Sequence, residues 1–403
     1  IAGGEFNVAV GNLSLGALTS ADKNVAIGYK AGGALTTGGS NTFVGHQSNS
    51  VGVTTGDDNV GFGMETLKVL TSGEYNVALG KGAGISITSG NHNVGIGYAA
   101  LDAEDTGAKN IAIGSEALGQ LNFNGDGYNI GIGYFAGNAL TTGTHNLLIG
   151  GFAGMSYDTE THNVFMGYAS GSGSIAGAEF NIGIGSNTLD ALTSGDNNVA
   201  VGYAAGSAVT TGAENTYVGL QAGNLNVTGA QNTIIGHNSN ATATNAGQAQ
   251  GLGADLACAA EFTTVGRGTN DIRAANGNVT WATVSDKRFK KNIETSDAGL
   301  AVINDLRPVT YNWKTKGEVP EWSRAYEEGS DEQYRNSKHN HGFIAQEVKA
   351  VIDSHSELKD GFSMWYERED GQQEVGETAI VPILVKAVQE LSATVTTLQQ
   401  EIN

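Results

Sequence analysis

The chain has 403 residues, 60 of them Gly and only 3 Pro, with charged residues at 15% and a formal net charge of −20. Such a length calls for at least two units, and abundant Gly without Pro or a three-residue period excludes collagen. An acidic balance without basic clusters argues against nucleic acid or an anionic membrane surface as partner. Cys258 stands alone, which rules out an intrachain disulfide framework and a cysteine-type zinc site.

From residue 7 onward the phrase Asn-Val-Ala-Ile-Gly recurs. Its 14 copies begin at Asn7 and end with the one at Asn232, and of the 13 spacings ten are 17 residues, two are 18 and one is 19. A second phrase keeps a fixed offset, as in Leu35-Thr36-Thr37-Gly38 and Leu192-Thr193-Ser194-Gly195. Each unit reads as a short strand, a glycine corner, a second apolar stretch and a Thr-rich turn. Val25 and Ile27 share one face, as strand alternation requires. One unit alone buries almost nothing, whereas stacked units bury a continuous narrow core, which is the logic of a β-solenoid. With stacked strands about 4.8 Å apart, 14 turns make a stack on the order of 65 Å long. The extra residues near Gly52–Asp57 and Asn122–Gly127 are expected in turns.

The repeated Asn is read as a ladder, each amide bonding to the turns above and below. The Thr rows are read as turn residues, with ordered-surface binding as the weaker alternative. Gly131-Ile132-Gly133-Tyr134-Phe135-Ala136-Gly137 lacks dinucleotide spacing and a following helix, so no cofactor is expected there. The repeats resemble the head repeats of trimeric bacterial adhesins and matching repeats in phage tail fibres, over roughly residues 5–240, although those heads use a shorter unit. The resemblance implies a trimer.

Beyond residue 240 the language changes. Residues 241–285 read as a connecting β region, in which Arg267–Thr283 contains Ile272, Val279 and Trp281 in a strand-like run, with Asn276-Gly277 as a good hairpin turn. From Val284 charge density rises and Gly falls. Ser285-Asp286-x-Arg288-x-Lys290-x-x-Ile293 is followed by Leu306-Arg307-Pro308-Val309-x-Tyr311-x-Trp313, and then by Gly342-Phe343-Ile344-Ala345-Gln346-Glu347-Val348. Together with a helix around Val381-Pro382, these motifs resemble the intramolecular chaperone domain of tailspikes, tail fibres and endosialidases, a self-cleaving peptidase family. The resemblance implies Ser285 as nucleophile, Lys290 as its base, a cut beside Ser285 at Ser285–Asp286, and a supporting motif of Arg288, Ile293, Gly342, Phe343, Gln346 and Glu347.

The chemistry is consistent with that assignment. A Ser hydroxyl needs a base to take its proton, and a neutral lysine can serve. Burial beside Lys287, Arg288 or Lys291 is expected to favour the neutral amine. Read without the family, the stronger reading is the start of a basic helix, with Ser285 as N-cap and Asp286 in the first turn. His339-x-His341 offers two imidazoles at strand spacing and no third ligand nearby, so no metal site is expected.

Val381, Leu384, Val388, Leu391, Val395, Leu398 and Ile402 are spaced 3, 4, 3, 4, 3 and 4 residues apart, a three-heptad seam. Such a seam can form a coiled coil, here a trimer by the family resemblance, or dock on its own domain. The expected organisation is therefore an all-β repeat solenoid over 1–240, the connecting region 241–285, an α+β chaperone domain over 286–380 and a coiled coil over 381–403.

The function implied is a homotrimeric host-attachment fibre of a phage or phage-like particle. It would be made in the host cytoplasm and face a cell-surface glycan or outer-surface protein. Its only chemistry would be single-turnover autoproteolysis, and Ile1 in place of Met puts the expected tail or baseplate attachment region upstream. A bacterial surface adhesin and a polysaccharide depolymerase are the alternatives; the second needs paired carboxylates in a groove, which the turn acids do not form. No 18-residue apolar run occurs, so membrane insertion is not expected.

Overall fold

The computed structural model of the protein describes residues 4–174, 176–277, 285, 287–323, 325–358, 364–368 and 371–402. The chain divides into two compact units, Ile1–Val284 and Ser285–Asn403.

The first unit is a parallel β-solenoid. Every copy of the repeated phrase contributes a three-residue strand, from β1 (Val8–Val10) to β14 (Thr233–Ile235), and each strand pairs in parallel with that of the next turn. Register is residue for residue: Val8, Ala9 and Val10 oppose Val25, Ala26 and Ile27. The turns with one or two extra residues keep this register, because the additions fall between strands.

Val25 and Ile27 do share a face, but it is the outer one. Ala26 points inward and is fully buried, as are Phe43, Ala78, Leu148 and Phe165 at the same place in their turns. A 17-residue turn leaves room for one inward strand residue, joined by Leu35 or Leu70 from the opposite wall. Volumes compensate along the stack: Phe43 lies against Gly61, where an added Cβ would sit 2.9 Å from the ring, and Phe165 lies against Gly183.

The Asn ladder is present. The Asn41 amide N–H donates to Asn24 Oδ1 at 2.8 Å while Asn24 Nδ2 donates to the Gly38 carbonyl at 3.1 Å, and Asn76 repeats both bonds to Asn59 and Gly90. These amides are buried, so every rung they satisfy removes the penalty of an unpaired polar group in the core.

Glycine closes each strand because the next turn lies too near for a side chain. Gly97 has φ +136°, and a Cβ there would lie 2.3 Å from the Gly114 carbonyl oxygen. Gly82 also has positive φ, +71°, but faces open space. Gly97→Ala is therefore expected to cost at least about 3 kcal/mol, through backbone strain and clash together. Gly82→Ala carries only the left-handed strain, about 1–2 kcal/mol. Denaturant midpoints of the two variants, measured side by side, check the difference.

The sheet continues past residue 240. Strand β15 (Asn240–Ala241) pairs with β17 (Ala257–Cys258), and β16 (Gln250–Ala254) stacks on β14 and carries β18 (Phe262–Arg267). An antiparallel partner, β19 (Asn270–Ala275), then ends the stack. Its tight turn is at Gly268-Thr269, upstream of Asn276-Gly277; Val279 and Trp281 lie outside the described residues.

The second unit packs helices α1 (Leu300–Asp305), α2 (Ala345–Ser354) and α3 (Val381–Ile402) with two small antiparallel pairs, β20 (Val309–Tyr311) with β21 (Asn340–Gly342) and β22 (Trp365–Glu367) with β23 (Gln373–Val375). Its core is Val302, Leu306, Val348, Ile352, Met364 and Ile383, with Phe343 and Trp365 against it.

Candidate functional site

The Ser285 and Lys290 side chains meet. A single 3₁₀ turn over Lys287–Phe289, closed by the Lys290 amide donating to the Lys287 carbonyl at 3.1 Å, folds the segment back. Lys290 Nζ then lies 2.8 Å from Ser285 Oγ and donates to it. The contact satisfies the geometric requirement for a hydroxyl and its base. Burial beside neighbouring cations would favour a neutral Lys290; the side chain is instead exposed, and so is Ser285. The physical reason is local: a lone 3₁₀ turn rich in cations offers no apolar cover. Asp286 lies outside the described residues, Arg288 sits within the turn, and Ile293 leaves its aliphatic side chain in solvent.

The two downstream motifs join each other. Val309 of the first pairs with Gly342 of the second across β20 and β21, and Arg307 Nε donates to Glu347 Oε2 at 2.9 Å. The Arg307 guanidinium holds the Glu347 carboxyl below its ordinary range. Phe343 closes the core, while Gln346 lines a cleft of about 630 Å³ with Tyr311, Trp313, Arg335 and Glu374. That cleft left no signal in the sequence beyond its aromatic residues. Gly342, Phe343, Gln346 and Glu347 thus build the strand pair, core, cleft wall and ion pair of the second unit.

His339 and His341 stand 6.3 Å apart, ring to ring, and among the described residues no group of three His, Cys, Asp or Glu could hold a metal. A different histidine is charge-coupled: His355 contacts Asp305 through Nε2 and Glu357 through Nδ1, each at 2.9 Å, and these bonds raise its pKa.

Helix α3 has two faces. Ile383 and Ala387 are buried, and Glu390 accepts the Leu300 amide at 2.8 Å, which ties α3 to the start of α1. The heptad seam lies on the other side: Val381, Leu384, Val388, Leu391, Val395, Leu398 and Ile402 are all exposed, Val388 to 65% and Ile402 to 84%. By length and mean hydropathy the helix from Glu377 to Ile402 is apolar enough to cross a membrane. Its apolar residues nevertheless form a seam between Gln, Ser, Thr and Lys positions, the pattern of a helix that pairs with helices.

In the solenoid the Thr rows brace the turns. Thr36, Thr71 and Thr193 each donate to a carbonyl of the following turn, at 2.9, 3.0 and 3.0 Å. The outer strand face is different, for its two rows of Val, Ile and Leu have no cover: Val8, Val10, Phe62, Leu79 and Ile184 are exposed. Soluble monomers rarely show so long an apolar patch.

The fold and the Ser–Lys contact define a β-solenoid that carries a small chaperone-type domain. Residues 285–356 match the family model described as peptidase S74, chaperone of endosialidase. The match opens at Ser285 itself and takes in both downstream motif segments, through α2. The C-terminal unit is therefore an intramolecular chaperone domain of this kind. No curated protein and no solved structure matches the chain.

Proposed function

We propose that the protein is a homotrimeric host-attachment fibre of a phage or phage-like particle. Its C-terminal domain directs the folding of three chains and is then released by autoproteolysis beside Ser285. The observation that carries this reading is the Lys290 Nζ to Ser285 Oγ contact of 2.8 Å at the first residue of the matched domain. Two unpaired apolar surfaces support the trimer, the outer solenoid face and the α3 seam.

The strand face of the solenoid spans roughly 65 Å by 10 Å, from 14 rungs of three-residue strands. That is on the order of 650 Å² per chain, a little under the roughly 800 Å² per partner of a standard interface, with the α3 seam adding to it. Non-local strand stacking is slow, and exposed edges invite wrong pairing. A domain that gathers three chains first sets their common register, and cutting it away afterwards removes the path back, leaving a kinetically locked fibre. A glycan or outer-surface protein of the target cell is the receptor class this role requires.

Expression of the chain truncated after Ser285 tests the chaperone role. The expected result is aggregated or monomeric solenoid, read by multi-angle light scattering. Soluble, folded trimers from the truncated chain would overturn it.

A further inference from the structure

Helix α3 exposes more apolar surface at its start than the seam alone accounts for. With Val381, Val388 and Val395 at a and Leu384, Leu391 and Leu398 at d, the first e position is Val385, which is 53% exposed. The e positions after it are Ser392 and Gln399. On the other flank of the seam, Ile380 holds the g position just before Val381. It ends the 3₁₀ turn Glu377–Ile380, which runs directly into α3. Ile380 and Leu384 line a pocket of about 410 Å³ together with Ile303, Leu306, Pro308 and Phe343, with Glu377 also on its wall. Leu384 therefore belongs to both the seam and the pocket.

We propose that this pocket receives Val385 of a neighbouring copy and so fixes the register in which parallel α3 helices associate. This rests on the reading above that three chains meet along the seam. In a parallel coiled coil the g residue of one heptad lies beside the e residue of the next heptad on the neighbouring helix. Ile380 and Val385 hold those two positions. Ala387, the next g residue, is buried, so the helix's own domain lies along its g flank. A neighbour that meets the seam therefore turns its e flank towards the pocket. The occupant is a second copy of this chain because the pocket continues the seam through Leu384, and because the e flank is apolar only in the heptad that reaches the pocket. The seam by itself sets register weakly, since Val at a and Leu at d recur unchanged through three heptads. After a slip of one heptad, Ser392 would face the pocket in place of Val385, or the pocket would face no e residue at all. Either slip leaves apolar surface wet, and that penalty specifies one alignment.

The test is crosslinking of the full chain carrying Ser285→Ala, which keeps the C-terminal unit attached. With a short bismaleimide, the double variant Ile380→Cys with Val385→Cys is expected to run mostly as covalent trimer on a denaturing gel. A link inside one chain adds no such mass, and each single variant is expected to stay monomeric on the gel. The pair shifted by one heptad, Ile380→Cys with Ser392→Cys, is expected to link several-fold less. Efficient linking by the shifted pair instead overturns the register. A second measurement needs no cysteine. Val385 is exposed in the single chain, so Val385→Lys leaves the fold of that chain intact. It is expected to raise the concentration at which trimers dissociate by at least about tenfold, and Ser392→Lys to leave it nearly unchanged. Equal dissociation of these two variants overturns the pocket contact. So does a Ser285→Ala parent that is trimeric by light scattering while the double variant fails to link, and that result leaves the three-chain reading standing. A monomeric parent overturns both.

Discussion

Wild-type protein is expected to split into two pieces beside Ser285, whereas Ser285→Ala and Lys290→Ala stay whole on a denaturing gel and by intact mass. Lys290→Arg is the sharper variant. A guanidinium can still donate to the hydroxyl, as Lys290 Nζ does across 2.8 Å, but it cannot take the proton. If Lys290 acts as base, Arg loses at least about 100-fold in cutting rate, the usual worth of a positioned acid–base group. If it only orients the hydroxyl, Arg retains most of the activity.

The bond that breaks reports where the nucleophile comes from. Attack by Ser285 Oγ on the carbonyl carbon of residue 284 closes a five-membered ring. The C–N bond then breaks, the nitrogen leaves as the α-amine of Ser285, and water hydrolyses the resulting ester, giving a fragment that ends at Val284. A fragment ending at Ser285 requires attack on the Ser285–Asp286 bond. Ser285 would have to close a four-membered ring to reach its own carbonyl, so a second copy must supply the hydroxyl. Co-expression of tagged Ser285→Ala with wild type separates the routes: attack between copies cuts the tagged chain, and attack within a copy leaves it whole.

The repeat period and the Asn ladder were legible because each is a spacing set by backbone geometry, and the domain motifs because they resemble a known family. The facing of the strands was not. Val25 and Ile27 are apolar, and so is Ala26 between them, so alternation groups the first two without saying where they point. The decisive cue was size: Ala and Gly dominate the middle place because the turn is narrow. The end of the stack was hidden for another reason. Ala249 occupies the ladder position, its amide still donating to Asn232 Oδ1 at 2.9 Å, but it has no side-chain carbonyl to pass the ladder on. The turn after it is shortened, with Gln250 paired to Thr263, and this erased the 17-residue spacing while the sheet went on. At the dyad, the family resemblance paired Ser285 with Lys290 but said nothing of their exposure, which depends on packing that a lone 3₁₀ turn does not have.

Removing the carboxyl of Glu104 is expected to stabilise the solenoid, and to do so only away from acid pH. Glu104 occupies the turn position filled by Leu35, Leu70 and Leu140 elsewhere, and it is fully buried. One carboxyl oxygen accepts the Gly107 amide at 2.7 Å, while the other is buried with no hydrogen-bond partner among the described residues. Burial raises its pKa from 4.5 to about 7, against the opposing pull of the Gly107, Phe123 and Asp105 amides. Below pH 4.5 both folded and unfolded chains hold the proton, so the group exerts no pH-dependent effect. As pH rises from 4.5 to about 7 the unfolded chain releases it and the folded chain does not, and stability falls across that window. The accumulated loss is about 3 kcal/mol, since each tenfold difference in proton affinity between the two states is worth about 1.4 kcal/mol. Glu104→Gln keeps the acceptor for Gly107 and cannot ionise. Its denaturant midpoint is therefore expected to match wild type near pH 4.5 and to exceed it clearly at pH 8, whereas Glu104→Leu removes the unpaired oxygen but leaves the buried Gly107 amide without its acceptor and is expected to gain less. A gap between Gln and wild type that is the same at both pH values would mean that the Glu104 carboxyl does not titrate with folding, and that the lost stability is a matter of polarity alone.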